Sequence, residues 1–435
     1  MLFWPFSKLG LSGCMFSGIS LFFFMHFAVT SGFLVEEKAL VLMTNYPLID
    51  GHNDVALQLR ILHDNRLSQI DLHNISRVAT DINRLRAGHV GGQMYAAYVM
   101  CTAQEKDAVR LTLEQVDVIH RMCSEYPEFE LVTTSHALRS SKKIACLISV
   151  EGGHSIDSSL AALRMFYRLG VRSMALTHTC NTPWAESSSE IYTFYPRDNN
   201  SLTHFGKAVV KEMNRLGMMI DLSHSSWDTA RAVLQTSQAP VIFSHSSAFT
   251  VCDHRRNVPD DLLQALKENK GLIMVNLHSG FVACGAKGNI SIAADHFDHI
   301  KNVIGAESIG IGGDYDGAAK FPEGLEDVSK YPALIQELLH RNWSEAELAG
   351  VLRLNFLRVF EQVEKVRDEL KGTLPVEVQI PLSEAANPCR LVLRPPNQVI
   401  RSSSVDSSKV VCSGLHLFAL SAVLTLHCFY EVVSC

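Results

Sequence analysis

Short apolar runs alternate with amphipathic stretches from about Val35 to Val366, and six of the runs stop on a residue that can bind a metal or move a proton. These are Leu48-Ile49-Asp50-Gly51-His52 followed by Asn53-Asp54, then Leu147 to Glu151, Met174 to His178, Met219 to His224, Val241 to His245 and Ile309 to Asp314. Met94 to Met100 and Leu272 to Leu277 also read as strands, which makes eight. Asp107 to Tyr126, Ser158 to Leu169, Thr203 to Leu216, Ile292 to Ile304 and Ser344 to Val366 carry the helical period. In the last of these, Leu348, Val351, Leu352, Phe356 and Phe360 recur near that period after a Ser344-Glu345-Ala346-Glu347 start. Buried strands alternating with helices belong to a parallel α/β fold, and eight of them predict a (β/α)8 barrel of the TIM type rather than an open sheet. A barrel brings the carboxyl ends of its strands to one mouth, so residues far apart in sequence converge there.

At 435 residues, 47% of them hydrophobic, the chain can bury a large core, which excludes a disordered protein. The formal net charge is -6 and no Lys/Arg-rich run occurs, so no nucleic acid is expected as partner and a small or peptidic substrate fits better. Lys8, the apolar core around Leu21-Phe22-Phe23-Phe24-Met25 and the small residues Ala28, Thr30, Ser31 and Gly32 have the layout of a secretory signal over residues 1–32. An uncleaved anchor helix is the alternative. From Val410 the chain is apolar again, diluted by Ser413, Gly414, His416, Ser421, Thr425 and His427, with no Lys or Arg after it. With Ser402, Ser403 and Ser404 upstream, residues 410–435 resemble a tail exchanged for a GPI lipid anchor, although Glu431 is atypical of one. The expected organisation is a signal over 1–32, a barrel over 33–370, a Pro- and Ser-rich strap over 371–409 and the tail, with the product on the extracellular face of the plasma membrane.

Secretion favours paired thiols. Of the 11 Cys, Cys14, Cys412, Cys428 and Cys435 lie in segments expected to be removed, leaving Cys101, Cys123, Cys146, Cys180, Cys252, Cys284 and Cys389. That remainder is odd, and Cys389, in the Pro-rich strap, is the candidate to join two chains. Asn74, Asn199, Asn289 and Asn342 open tripeptides with the acceptor pattern for glycosylation.

His52 and Asp54 close the first strand two residues apart, where side chains share a side and can reach one ion. Alone, such a pair is usually just a hydrogen-bonded His and Asp. Glu151 closes the third strand before Gly152-Gly153, which lets the backbone turn tightly at the mouth; its plainer reading is a capping or salt-bridged carboxylate. His224 and His245 end consecutive strands, each after a Ser. One strand-end His is commonly structural, but two at equivalent ends of adjacent strands are hard to explain so. Three imidazoles and two carboxylates suit zinc better than magnesium or calcium, which prefer oxygen. Five ligands exceed what one tetrahedral ion needs, so two Zn2+ per chain are expected. His52, Asp54 and Glu151 would bind one and Glu151, His224 and His245 the other, which implies hydrolysis.

Asp314, in Gly312-Gly313-Asp314-Tyr315-Asp316-Gly317, is the candidate to take a proton from the attacking water and pass it to a leaving amine, with Asp316 as competitor and a supporting acid as the alternative. His178 could hydrogen-bond a developing oxyanion, or be a core His. Arg256 could clamp a substrate carboxylate with two parallel hydrogen bonds; alternatively Arg255 or Arg256 pairs with Asp260 or Asp261 near the next helix.

Together these segments resemble the membrane dipeptidase family, the renal-type dipeptidases among the barrel amidohydrolases. The resemblance rests on Ile49 to Asp54, Val150 to Ser155, Leu176 to Trp184, Val241 to Ser247, Arg256 to Asp261 and Gly312 to Gly317. It implies a two-zinc barrel hydrolase that cleaves dipeptides with a free C-terminal carboxylate, cysteinyl-glycine bonds such as that of leukotriene D4 among them, with His178, Arg256 and Asp314 at the substrate. It also implies disulfides Cys101–Cys180 and Cys252–Cys284, a homodimer linked through Cys389, and free buried thiols at Cys123 and Cys146. Kidney-type members carry an aromatic pair where this chain has Leu277-His278, so their side-chain preference and β-lactam cleavage are not carried over.

Two other classes stay open. A one-metal hydrolase or deaminase could use the same barrel, but a carboxylate placed to bridge and the lack of aromatic clustering near the ligands speak against it. An inactive cell-surface scaffold ectodomain would have shed ligands, and here the set is complete.

Overall fold

The structure, a computed structural model, describes residues 35–189, 191, 194–196, 201–385 and 387. The expected signal and tail, Cys389 and Asn199 lie outside the described residues. The chain divides into two compact units, the first ending at Ile380 and the second starting at Pro381.

The first unit holds one sheet of nine parallel strands: β1 Leu48–Asn53, β2 Val90–Tyr98, β3 Phe129–Leu131, β4 Ile144–Glu151, β5 Val171–Ala175, β6 Met219–Asp221, β7 Ile242–Phe243, β8 Leu272–Val275 and β9 Ile309–Ile311. β1 pairs with β2 on one side and β9 on the other, and β2 pairs with β4 from Gly92 and Ala145 to Tyr98 and Glu151. Eight strands thereby close a barrel, as the pattern predicts. The short β3, which the pattern does not predict, pairs with the first residues of β4.

Period-two alternation decides which side chains fill the barrel. Ile49, Met94, Leu147, Met219, Ile242, Leu272 and Met274 form one buried cluster, while their strand neighbours Leu48, Tyr95, Ile148, Ile220, Phe243 and Ile273 join the main core with the surrounding helices. Phe356, Leu357, Phe360 and Val363 pack into the inner cluster together with Leu138 and Ala239, which precede β4 and β7. The last helix therefore plugs the end at which the strands begin. At Gly51 a Cβ would meet Met274 Sδ at 2.3 Å, so the missing side chain makes room for that methionine.

The stretch expected as one helix over Ser344 to Val366 is helical to Glu369, but its run is broken into Glu345–Ala349, a π turn at Gly350–Leu354 and Asn355–Glu369. Ser344 and Glu347 form a capping box at its start. Several strands stop short of their expected ends. β6, β7 and β9 finish two or three residues before His224, His245 and Asp314. His224 (φ 68) and Asp314 (φ 61) take the left-handed conformation, which a pleated ladder does not tolerate, so the chain turns at these residues. β5 lies earlier than the expected Met174 to His178 and releases His178 into the loop beyond it.

Cys101–Cys180 and Cys252–Cys284 are disulfides. Cys123 and Cys146 are not the free thiols expected: they too are joined, one on the helix Ala108–Glu125 and the other on β4, with Cα atoms 6.4 Å apart across a buried interface. Among the described residues no helix is long and apolar enough to cross a membrane.

Candidate active site

At the end of β1, His52 Nε2 lies 3.0 Å from Asp54 Oδ2 and 3.5 Å from Oε1 of Glu151, the last residue of β4. The same Glu151 oxygen is 3.1 Å from His224 Nε2 and 3.5 Å from His245 Nε2, and those two nitrogens are 3.0 Å apart. Two donors bound by one zinc at about 2.0–2.1 Å and a tetrahedral angle stand about 3.3 Å apart, so these spacings fit a set of metal ligands. Asp54 occupies the N-cap position of the helix Val55–His63, yet its side chain makes no cap bond, and its Oδ1 is buried without a partner. That carboxylate is withheld from the helix and turned to the cluster.

Supporting bonds fix the ligand orientations. Asp221 Oδ1 accepts from the backbone N–H of Ser223 and of Ser244, each at 2.9 Å, and Oδ2 accepts from the Ser244 hydroxyl. Ser244 Oγ is 2.8 Å from His245 Nδ1. With the hydroxyl proton committed to Asp221, His245 Nδ1–H must donate to Ser244, which leaves the Nε2 lone pair facing Glu151. Asp50 acts similarly beneath His52: its Oδ1 accepts from the N–H of His52 at 3.2 Å and of Gly313 at 2.9 Å, and its Oδ2 from the Tyr331 hydroxyl at 2.6 Å. Neither Asp50 nor Asp221 is among the residues singled out from the sequence. Both had a signal there, because a carboxylate inside an apolar strand must be satisfied by something.

Asp314 groups with His52 and His245 in one buried trio of potential ligands, and Asn276 Nδ2 donates to its Oδ2 at 2.9 Å. Asp316, the competitor, accepts at Oδ1 from the Ala79 N–H at 2.6 Å, while its Oδ2 is buried without a partner. A Cβ at Gly317 would lie 2.1 Å from Asp54 Oδ2 and 2.9 Å from Asp314 Oδ1; glycine is what lets the turn and the two acids meet.

His178 stands at the rim. Its Nε2 is 3.8 Å from Glu151 Oε1, and its ring is 4.1 Å from that of His224 and 4.4 Å from that of Tyr98. Arg256 donates from Nη1 to Ser246 Oγ at 3.3 Å and from Nη2 to the His245 carbonyl at 3.1 Å, and it lies over the Phe281 ring. It is 8% exposed, and its Nε is buried without a partner. The alternative pairing for Arg256 does not occur: Asp260 is bonded to Thr250 and His299, and Asp261 to Arg231. Phe281 in turn touches His254 and His278, and His278 Nδ1 is another buried atom without a partner.

The electrostatics are those of a set built around positive charge. Burial pushes the Glu151 carboxyl well up, and nearby Asp54 and Asp314 add to this against the pull of His52. Burial also raises Asp314 to about 6. For His52 burial works the other way, but Glu151 and Asp54 outweigh it and lift the imidazole to about 10. Burial drives His178, His224 and His245 well down, with Arg256 contributing to each, so these three are neutral and able to offer a lone pair. Three imidazoles and two carboxylates at these spacings fit a divalent metal.

A family model described as membrane dipeptidase (peptidase family M19) matches residues 36–373. The chain is 56% identical over 364 residues to Dipeptidase 3 of Mus musculus, which covers 84% of this chain and 74% of that protein. It is equally 56% identical over 363 residues to Dipeptidase 3 of Homo sapiens, covering 83% and 74%. Among solved structures, a metallopeptidase from Rhodobacter sphaeroides, liganded with a phosphinate mimic of the dipeptide L-Ala-D-Ala, matches with a TM-score of 0.68 at 25% identity, over 73% of this chain and 99% of that one. The sequence motifs also suggest a finer likeness, to membrane-bound dipeptidase 2; these relatives, both Dipeptidase 3, do not confirm it.

Proposed function

The chain belongs to the membrane dipeptidase family, and from that premise we propose that it is a zinc-dependent dipeptidase acting on dipeptides with a free C-terminal carboxylate. His52, Asp54 and Glu151 would hold one zinc ion and Glu151, His224 and His245 a second. Bound there, the two ions would supply the Lewis acidity that activates water at neutral pH and polarises the scissile carbonyl. The observation that carries this reading is the position of one carboxylate: Glu151 Oε1 stands 3.1 to 3.5 Å from three imidazole nitrogens that come from three separate strand ends.

The remaining roles follow from the chain's own side chains. Asp314, steadied by Asn276, takes the proton of the attacking water and delivers it to the leaving amine. His178, at the rim beside Glu151, hydrogen-bonds the oxygen of the scissile carbonyl as charge gathers on it. Arg256 presents its unused donors to the substrate carboxylate and so selects the C-terminal residue of a dipeptide. The phosphinate dipeptide mimic carried by the Rhodobacter sphaeroides relative supports a substrate of this size. Cysteinyl-glycine bonds, including that of leukotriene D4, are the preferred targets in this reading.

The setting is part of the same proposal: secretion through residues 1–32, a lipid anchor replacing residues 410–435, a homodimer linked through Cys389, and glycans at Asn74, Asn199, Asn289 and Asn342. Asn74, Asn289 and Asn342 are exposed, as glycan acceptors must be.

The test is to mix the purified protein with cysteinyl-glycine, leukotriene D4 and a panel of other dipeptides and to follow free glycine or the released amino acid. Turnover that stops on chelation and returns with zinc is expected. No turnover by fully metal-loaded protein would favour the scaffold reading instead.

A further inference from the structure

Away from the metal-ligand cluster, the end of the barrel where β1, β2 and β4 begin holds a cavity of about 750 Å3, bordered by Pro47, Val90 and Ile144. Its charge is one-sided. Arg353 lies in the π turn Gly350–Leu354, a local widening of the helix that re-aims side chains and recurs at functional sites. It is 9% exposed, and it donates from Nη1 to the Pro47 carbonyl at 3.3 Å and from Nη2 to the Leu138 carbonyl at 2.6 Å. Among the described residues no carboxylate pairs with it. Burial, and after it the charge of Arg139, push its pKa down, the reverse of what an acidic partner would do. A buried guanidinium held by neutral carbonyls alone is an incomplete arrangement, because the charge loses water without gaining a counter-charge.

Lys142 and Lys143 stand exposed on the same wall, and among the described residues neither makes an ion pair. The other two cations of the wall are already neutralised, Arg86 by Glu128 at 3.3 Å and Arg139 by Glu361 at 2.5 Å. Glu128, the one acid in the lining, is further engaged by His73 at 3.2 Å. What remains uncompensated is the charge of Arg353, Lys142 and Lys143, facing a space far larger than one ion.

We propose that this cavity binds a phosphate monoester, its dianion held between Arg353 and the Lys142–Lys143 lip and its organic part against the apolar wall. A phosphate answers the local charge better than a single carboxylate, and a guanidinium fork matches its oxygens. The ester could be a free small molecule or the head group of a phospholipid, and two probes separate these sources. Calorimetric titration of the metal-loaded protein with glycerol 3-phosphate tests the first. Flotation with phosphatidylcholine vesicles, with and without phosphatidic acid, tests the second.

Saturable binding of at least one probe is expected, weakened by salt and reduced about tenfold or more in the double variant Lys142→Glu/Lys143→Glu and in Arg353→Gln. Dipeptide hydrolysis should stay within about twofold of wild type in both, since neither touches the metal-ligand end. The lysines are exposed, so the double variant decides the matter even if Arg353→Gln does not fold. Failure of both probes to bind saturably, or wild-type affinity in the double variant, would overturn the proposal.

Discussion

Replacing Arg256 by alanine should abolish the protein's ability to tell a dipeptide from the same dipeptide amidated at its C-terminus. The guanidinium spends one donor on Ser246 and one on the His245 carbonyl, while Nε stays buried and unpartnered. At 8% exposure, its bonds to a substrate carboxylate would be little screened by water. Hydrogen bonds between charged groups contribute about 1.5–3 kcal/mol each, so a two-pronged clamp is worth about 3–6 kcal/mol. At about 1.4 kcal/mol per tenfold, that is a loss of about 10²–10⁴ in kcat/KM for Leu-Gly. Leu-Gly-amide, which offers no carboxylate, should already be poor with the wild type and should change less than about fivefold in Arg256→Ala. The assay is a four-way comparison of kcat/KM for two enzymes and two substrates, with zinc content measured on both proteins. Equal losses on the two substrates would refute the clamp and recast Arg256 as a support for the His245 backbone. Loss of zinc in the variant would do the same.

Ser244→Ala removes the link between Asp221 and His245 Nδ1, and metal affinity should fall about 10–100-fold in competition with a chelator; unchanged affinity would show that the link does not orient the ligand. Burial holds His154 near 4, with only its bond to the Val99 carbonyl opposing this, against 6.5 in the unfolded chain. Below 6.5 the unfolded state therefore binds the extra proton, so this contribution to stability is complete above about pH 6.5 and declines by about 3 kcal/mol as pH falls to about 4. Urea unfolding between those limits should show a shallower pH dependence in His154→Gln; parallel curves would contradict this origin. Non-reducing peptide mapping should recover Cys123 joined to Cys146, and Cys123→Ser/Cys146→Ser should lower stability by about 3 kcal/mol, as expected for a link across 23 residues. Two free thiols would count against the bond.

The ring of strands was legible because each buried strand is a short apolar run, and six of the eight expected ones end in a polar stop that the structure gathers near Glu151. Less legible was where each ladder ends. His224 and Asp314 look like strand residues in the sequence, yet their left-handed backbones carry them beyond the sheet. A φ value leaves no mark in the alternation of apolar and polar positions. Asn276 was hidden for a related reason: its bond to Asp314 joins two neighbouring strand ends, and only closure of the barrel brings them side by side. The pairing of Cys123 with Cys146 depends on how one helix face lies over β4, which spacing does not encode. The π turn is likewise a matter of packing, and without it Arg353 reads as one more surface cation on an amphipathic helix.

Anomalous diffraction at the zinc edge, from crystals of fully active protein, tests the central claim most directly. Two zinc peaks are predicted, both in contact with Glu151, one also touching His52 and Asp54 and the other His224 and His245. A single peak in fully active protein, or two peaks that Glu151 does not bridge, would contradict the account.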